Sequence, residues 1–182
     1  MPAMMSNHYH DIVHDRLGNI PAFLQYFHHL VAKCINVHRG RWENVWAVGQ
    51  TSLVLLVERE DVIAKVVYAA TNPVKDHLVE KVHHWPGING LSALLNDRPM
   101  VATRPAYFFR DDGPMPETAT LRLTIPASLG DPTAFREEVR RRCAEVEAEA
   151  ARERRETGRR IRSTPLPLAT RTQRDCGQCR RS

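Results

Sequence analysis

A mixed α+β fold is what this sequence predicts, and three observations predict it. Short β-prone segments recur, the first of them carrying His8 and His10 one residue apart in "SNHYHDIVHD". Two stretches repeat apolar residues at three- and four-residue steps, the spacing of amphipathic helices. Finally, a capping aspartate and a proline at residues 131 and 132 open a long run of glutamates and arginines.

Each element follows in order. Alternation along a strand puts His8 and His10 on one face. Pro21 suits a first helical turn, where its missing N–H costs nothing. Ile20, Phe23, Leu24, Phe27, Leu30, Val31, Cys34 and Ile35 then mark one face of a helix. Gly40 breaks it within "HRGRWENVWAVG", a basic connection carrying Trp42 and Trp46. Residues 51–58, "TSLVLLVE", are apolar and β-prone and predict a buried strand. Val62, Ile63, Val66, Val67 and Ala70 share a helical face, and Pro73 is expected to stop that helix. Residues 75–87, "KDHLVEKVHHWPG", predict a further short helical piece. Prolines, an Asp112-Gly113 turn pair and the strand candidate "ATLRLTIP" make residues 98–130 a hairpin-like appendage. Asp131 as N-cap and Pro132 in the first turn begin a helix through about Arg160, mostly exposed, with a thin apolar seam. The organisation expected is therefore 1–97 as the main domain, 98–130 the appendage, 131–161 the long helix and 162–182 a disordered basic tail.

Bulk properties narrow the function. The apolar fraction of 42% supports a modest core, and no apolar run reaches membrane-spanning length. No basic segment followed by an apolar one opens the chain, so a cytoplasmic protein without a membrane partner is expected. The net charge of +5 and pI near 9.3 favour a polyanionic partner, nucleic acid being the commonest. Of the four cysteines, Cys34 and Cys143 fall in helical patterns and read as small packed residues. Cys176 and Cys179 form a CxxC with no further ligands nearby, so an incidental pair is expected.

The helix ahead of Pro73 carries the chemistry. At about 100° per residue, Tyr68 points about 170° away from the centre of the apolar face. Asn72 lies only about 40° from Tyr68, with Asp61 and Lys65 on the same stripe. An outward aromatic is common on surfaces, and a lone HxH is often a mere hydrogen-bonding pair. Together, however, they make a coherent set. Two imidazoles form half a site for a divalent cation, and an Asn72 carbonyl oxygen suits magnesium or manganese. Such an ion acts as a Lewis acid on a scissile phosphate. Tyr68 would be the nucleophile, and because phenols titrate near 10, Lys65 on the preceding turn would stabilise its oxyanion.

Three motifs resemble those of the HUH-type single-tyrosine transposases, in particular the REP-associated tyrosine transposases. They are "MSNHYH", "RGRWENVW" and "YAATNPVKDHLVEKVHHWPG", which resemble the HUH motif, the Gly- and Trp-containing stretch and the Tyr-x-x-x-Asn-Pro-Val segment. The resemblance covers roughly residues 5–95 and, less securely, 104–160. It implies a ferredoxin-like (RRM-like) domain whose sheet carries His8 and His10. It also implies that Tyr68 cleaves single-stranded DNA beside REP-type hairpins, leaving a 5′-phosphotyrosine and a free 3′-hydroxyl for a second transfer. By the same resemblance His8, His10 and Asn72 are ligands to Mg2+ or Mn2+, and the chain is a monomer or homodimer. Lys33, Arg39, Arg41 and Lys75 are expected on phosphate, with Trp42 and Trp46 either stacking on bases or buried in the core. The family places a strand–helix–strand unit ahead of the HUH strand, whereas seven residues precede His8, so the domain is expected to be N-terminally truncated, to start further upstream, or to be completed by another chain.

Two other readings stand beside this one. A non-catalytic DNA-binding remnant would keep the basic face but no metal. An unrelated metal hydrolase would use His8, His10 and Asp11 or His14, with Tyr68 remote.

Overall fold

A computed structural model describes residues 1–49, 51–105, 108–110 and 112–161. The tail from Arg162, with its CxxC, lies outside the described residues. The chain is α+β, with four α-helices and two small antiparallel sheets among the described residues. The first sheet pairs β1 (Pro2–Met4) with β2 (Tyr9–Asp11), Ala3 opposite His10. The Met5 N–H donates to the His8 carbonyl at 2.9 Å and closes the turn between them. Two short strands are less than the ferredoxin-like sheet that the resemblance implies, and the coarser α+β class is what the chain displays.

Helix α1 (Ile20–Arg39) starts with Pro21 in its first turn and ends at Gly40, whose φ of 60° is the left-handed C-cap that glycine adopts without strain. Its N-terminus is held by Asp15, whose carboxylate accepts from the N–H groups of Asn19 and Ile20. Those bonds hold the Asp15 carboxyl below the usual carboxylate range. None of the residues of α1 is buried. The helix instead meets the sheet through an aromatic cluster around Tyr9.

Helix α2 (Arg59–Lys75) runs two residues beyond Pro73, contrary to the expected stop. Pro73 removes one backbone donor, but it is fully buried, and its carbonyl accepts from the N–H groups of Leu78 and Val79. Burial on every side holds the last turn together against the steric cost of a proline. The apolar face is as the periodicity predicts: Ile63, Val66 and Ala70 are buried, and Tyr68 stands outside at 44% exposure.

Helix α4 (Pro132–Thr157) begins as read from the sequence, the Asp131 carboxylate accepting the Ala134 N–H at 2.7 Å, and ends three residues short of the expected boundary. Its seam of Phe135, Val139, Cys143 and Ala150 is buried against α2. The two helices run in the same direction, because Arg142 pairs with Glu60 and Glu153 pairs with His77. Burial pushes the Cys143 thiol up to about 12, with the Glu147 carboxylate adding to the rise. The thiolate is what reacts, so Cys143 should resist alkylation in the folded chain at mildly alkaline pH and react in denaturant. Peptide mapping by mass spectrometry reads this, and native labelling of Cys143 would contradict its place in the seam.

Three further expectations change. Residues 51–57 form no strand: Leu53, Val54, Leu55 and Val57 are exposed, and no described strand edge pairs with them. Sequence propensity supplied the strand character, but a strand needs a neighbour to satisfy its backbone. The piece expected over residues 75–87 is only a 3-10 turn, Val82–His84. A short helix α3 (Leu91–Leu95), not anticipated, packs on α4. The appendage is a hairpin of β3 (Met100–Thr103) and β4 (Thr118–Leu121), as expected. Among the described residues no helix is long and apolar enough to cross a membrane.

Candidate functional site

The strand β2 is clasped from both faces. Tyr9 points to α1, its hydroxyl 2.6 Å from His28 Nε2 and its ring edge-on to Phe27 and Trp46. His8 and His10, one residue to either side, therefore point the other way, to α2. Their rings meet edge to face with centroids 5.0 Å apart.

On α2, Asn72 reaches both. Its amide nitrogen lies 3.1 Å from His10 Nε2 and 3.4 Å from His8 Nε2. The Tyr68 ring, one turn earlier, packs edge-on to His10 with centroids 5.3 Å apart. Thus His8 and His10 meet Asn72 and the ring of Tyr68, from residues more than fifty positions away in the chain. The β1 strand is seated from its other side: Trp85 donates its indole N–H to the Met4 carbonyl at 2.8 Å, and Ala3 bridges to Asn89. Gly87 is required there, since a Cβ would lie 2.5 Å from the Trp85 indole nitrogen.

The residues fit a divalent cation on two grounds. His8 Nδ1 sits 2.8 Å from Asn7 Oδ1, a contact that assigns the proton to Nδ1 and leaves the Nε2 lone pair facing Asn72. His10 is held below the ordinary imidazole pKa by burial, then by His8 and Lys65, so its ring stays neutral as a ligand must. The 3.1 and 3.4 Å separations are hydrogen-bond distances from the Asn72 amide nitrogen to the two imidazoles, and turning the carboxamide over would present its oxygen to them instead. Among the described residues no group of three His, Cys, Asp or Glu side chains could hold a metal. Asp11 and His14 do not join the histidines: Asp11 pairs with the Met1 amino group at 3.3 Å, and His14 is exposed.

Lys65 stands where the wheel put it, its ammonium 5.7 Å from the centroid of the Tyr68 ring. Lys75, expected on DNA phosphate, stands closer still, at 5.1 Å. Seven residues are nearly two full turns, about 20° from Tyr68 on the wheel, so the spacing held this signal. The other expected DNA contacts lie on α1 and the turn after it rather than on α2. Lys33 and Arg39 are exposed, and Arg41 is half-buried with Nη1 3.3 Å from Glu43. Trp42 is 98% exposed and so is not a core residue. Trp46 is half-buried and outside the core as well, its indole donating to the His28 carbonyl at 2.8 Å and its ring 4.3 Å from that of His28. His28 was not anticipated, and no spacing rule links it to Tyr9. Compared with known protein families, curated proteins and solved structures, the chain matches none of them.

Proposed function

We propose that this chain is a single-tyrosine HUH-type strand transferase acting on single-stranded or hairpin DNA. The observation that carries the reading is the meeting of two imidazoles, a carboxamide and an outward phenol between β2 and α2. His8, His10 and Asn72 would hold Mg2+ or Mn2+, which when bound polarises a non-bridging oxygen of the scissile phosphate. Tyr68 Oη attacks the phosphorus, forming the Oη–P bond as the P–O3′ bond breaks. The phenolic proton passes to solvent, the departing O3′ takes up a proton, and the 5′-phosphate stays on the tyrosine. Lys65 and Lys75 on the phenol ring offset the charge as the phenolate forms. Attack of a free 3′-hydroxyl on that phosphotyrosine reverses the step and joins the strands.

The reading implies a ferredoxin-like domain in which β1 and β2 are the HUH-bearing pair, working in the cytoplasm on REP-type palindromes as a monomer or homodimer. Lys33, Arg39 and Arg41 would hold phosphates, and the exposed Trp42 would stack on an unpaired base. The test is a labelled hairpin oligonucleotide with Mg2+ or Mn2+, resolved on a denaturing gel. A protein–DNA adduct is expected that chelation removes and that His10→Ala cuts by at least about 10-fold, with binding less affected. No adduct under any of these metals would leave a DNA-binding remnant of such an enzyme. An adduct that survives chelation and His10→Ala would overturn the metal assignment.

A further inference from the structure

Away from the tyrosine, an open groove of about 710 Å³ lies where the C-terminal half of α4 passes Glu80 and Lys81. Five cations line it: Lys81, Arg154, Arg155, Arg159 and Arg160. Two acids share it, and one of them is occupied, the Glu147 carboxylate accepting the Val82 N–H at 2.8 Å. The positive side is partly held as well, with Arg159 Nη1 at 3.5 Å from Glu153. One Arg154 guanidinium nitrogen is buried and has no partner among the described residues. That nitrogen is closed to the groove, whereas Arg155 and Arg160 are exposed along it.

We propose that this groove takes the phosphodiester backbone of base-paired DNA, separately from the strand at Tyr68. Guanidinium forks match phosphate oxygens two at a time, and here several stand side by side. Sites for single strands add aromatic platforms on which bases stack. Among the described residues the groove has none; apart from its charged residues it is lined by alanines of α4 and by Ile161. A small-residue floor lets a sugar–phosphate chain approach closely and offers nothing to an unstacked base. The proposal needs only affinity for DNA, not the cleavage chemistry.

The test uses the full chain and a fluorescent, fully paired duplex without unpaired ends, titrated across a series of salt concentrations. The pair Arg155→Glu with Arg159→Glu is compared with the pair Arg98→Glu and Arg122→Glu, which changes net charge equally elsewhere. The groove pair should weaken duplex binding by about 10-fold or more and lower the slope of log affinity against log salt by about 2, the control pair much less. Arg155→Gln with Arg159→Gln, gentler on the fold, should show the same order at smaller size. Equal losses from the groove and control pairs would overturn the proposal. So would a groove pair that loses binding of a poly-glutamate peptide while keeping the duplex. Adduct formation at Tyr68 on a short unpaired strand reports on the cleavage reading alone, so the two can fail separately.

Discussion

Tyr68→Phe is expected to remove the covalent protein–DNA adduct altogether, by more than about 10³-fold, while leaving DNA affinity within about 2-fold. The phenyl ring keeps its edge-on place at His10 and beneath the ammonium groups of Lys65 and Lys75. Only the hydroxyl is lost, and it is an exposed one outside the α2–α4 seam, so the fold should change by less than about 0.5 kcal/mol. A denaturing gel reads the adduct and fluorescence anisotropy the binding. A shifted band that persists in Tyr68→Phe would end the assignment of the nucleophile.

Phe135→Ala should have the largest effect on stability, about 3–5 kcal/mol. Phe135 is 2% exposed at the start of the seam, with the Arg59 guanidinium 5.9 Å from the ring centroid. Its loss opens a cavity where α4 meets the first turn of α2, and little there can collapse to fill it. For a chain of this length the thermal midpoint should fall by roughly 10 °C, followed by circular dichroism. A fall of less than about 3 °C would mean that α4 is not part of the cooperative core. The same packing holds α2, the helix that carries Tyr68 and Asn72.

Much of this was legible in the chain because it lies in local periodicity. The α2 wheel separated Tyr68 from Val66 and Ala70, and Asp131 with Pro132 marked the start of α4. Lys75, expected on phosphate, was legible beside the phenol too, nearly two turns from Tyr68. What could not be read depends on partners far away in sequence. Residues 51–57 carry strand propensity, yet propensity does not supply a neighbouring edge. Pro73 reads as a breaker from its own geometry, and only the packing around it explains its place inside a helix. Tyr9 and His28 meet through tertiary contact, for which no spacing rule exists. The histidines and Asn72 could be matched in chemistry, whereas their distances needed the fold.

The placement of Tyr9 between the two imidazoles turns β2 into a see-saw. Helix α1 has no buried anchor of its own, so its grip on the sheet is largely the aromatic cluster around that ring, while His8 and His10 on the other side face Asn72 and Tyr68 of α2. Both sets of side chains hang from the same short backbone, so any coupling between them would be reciprocal. A ligand that clamps α1 would then steady the two imidazoles without touching them, and one held by the imidazoles would steady α1.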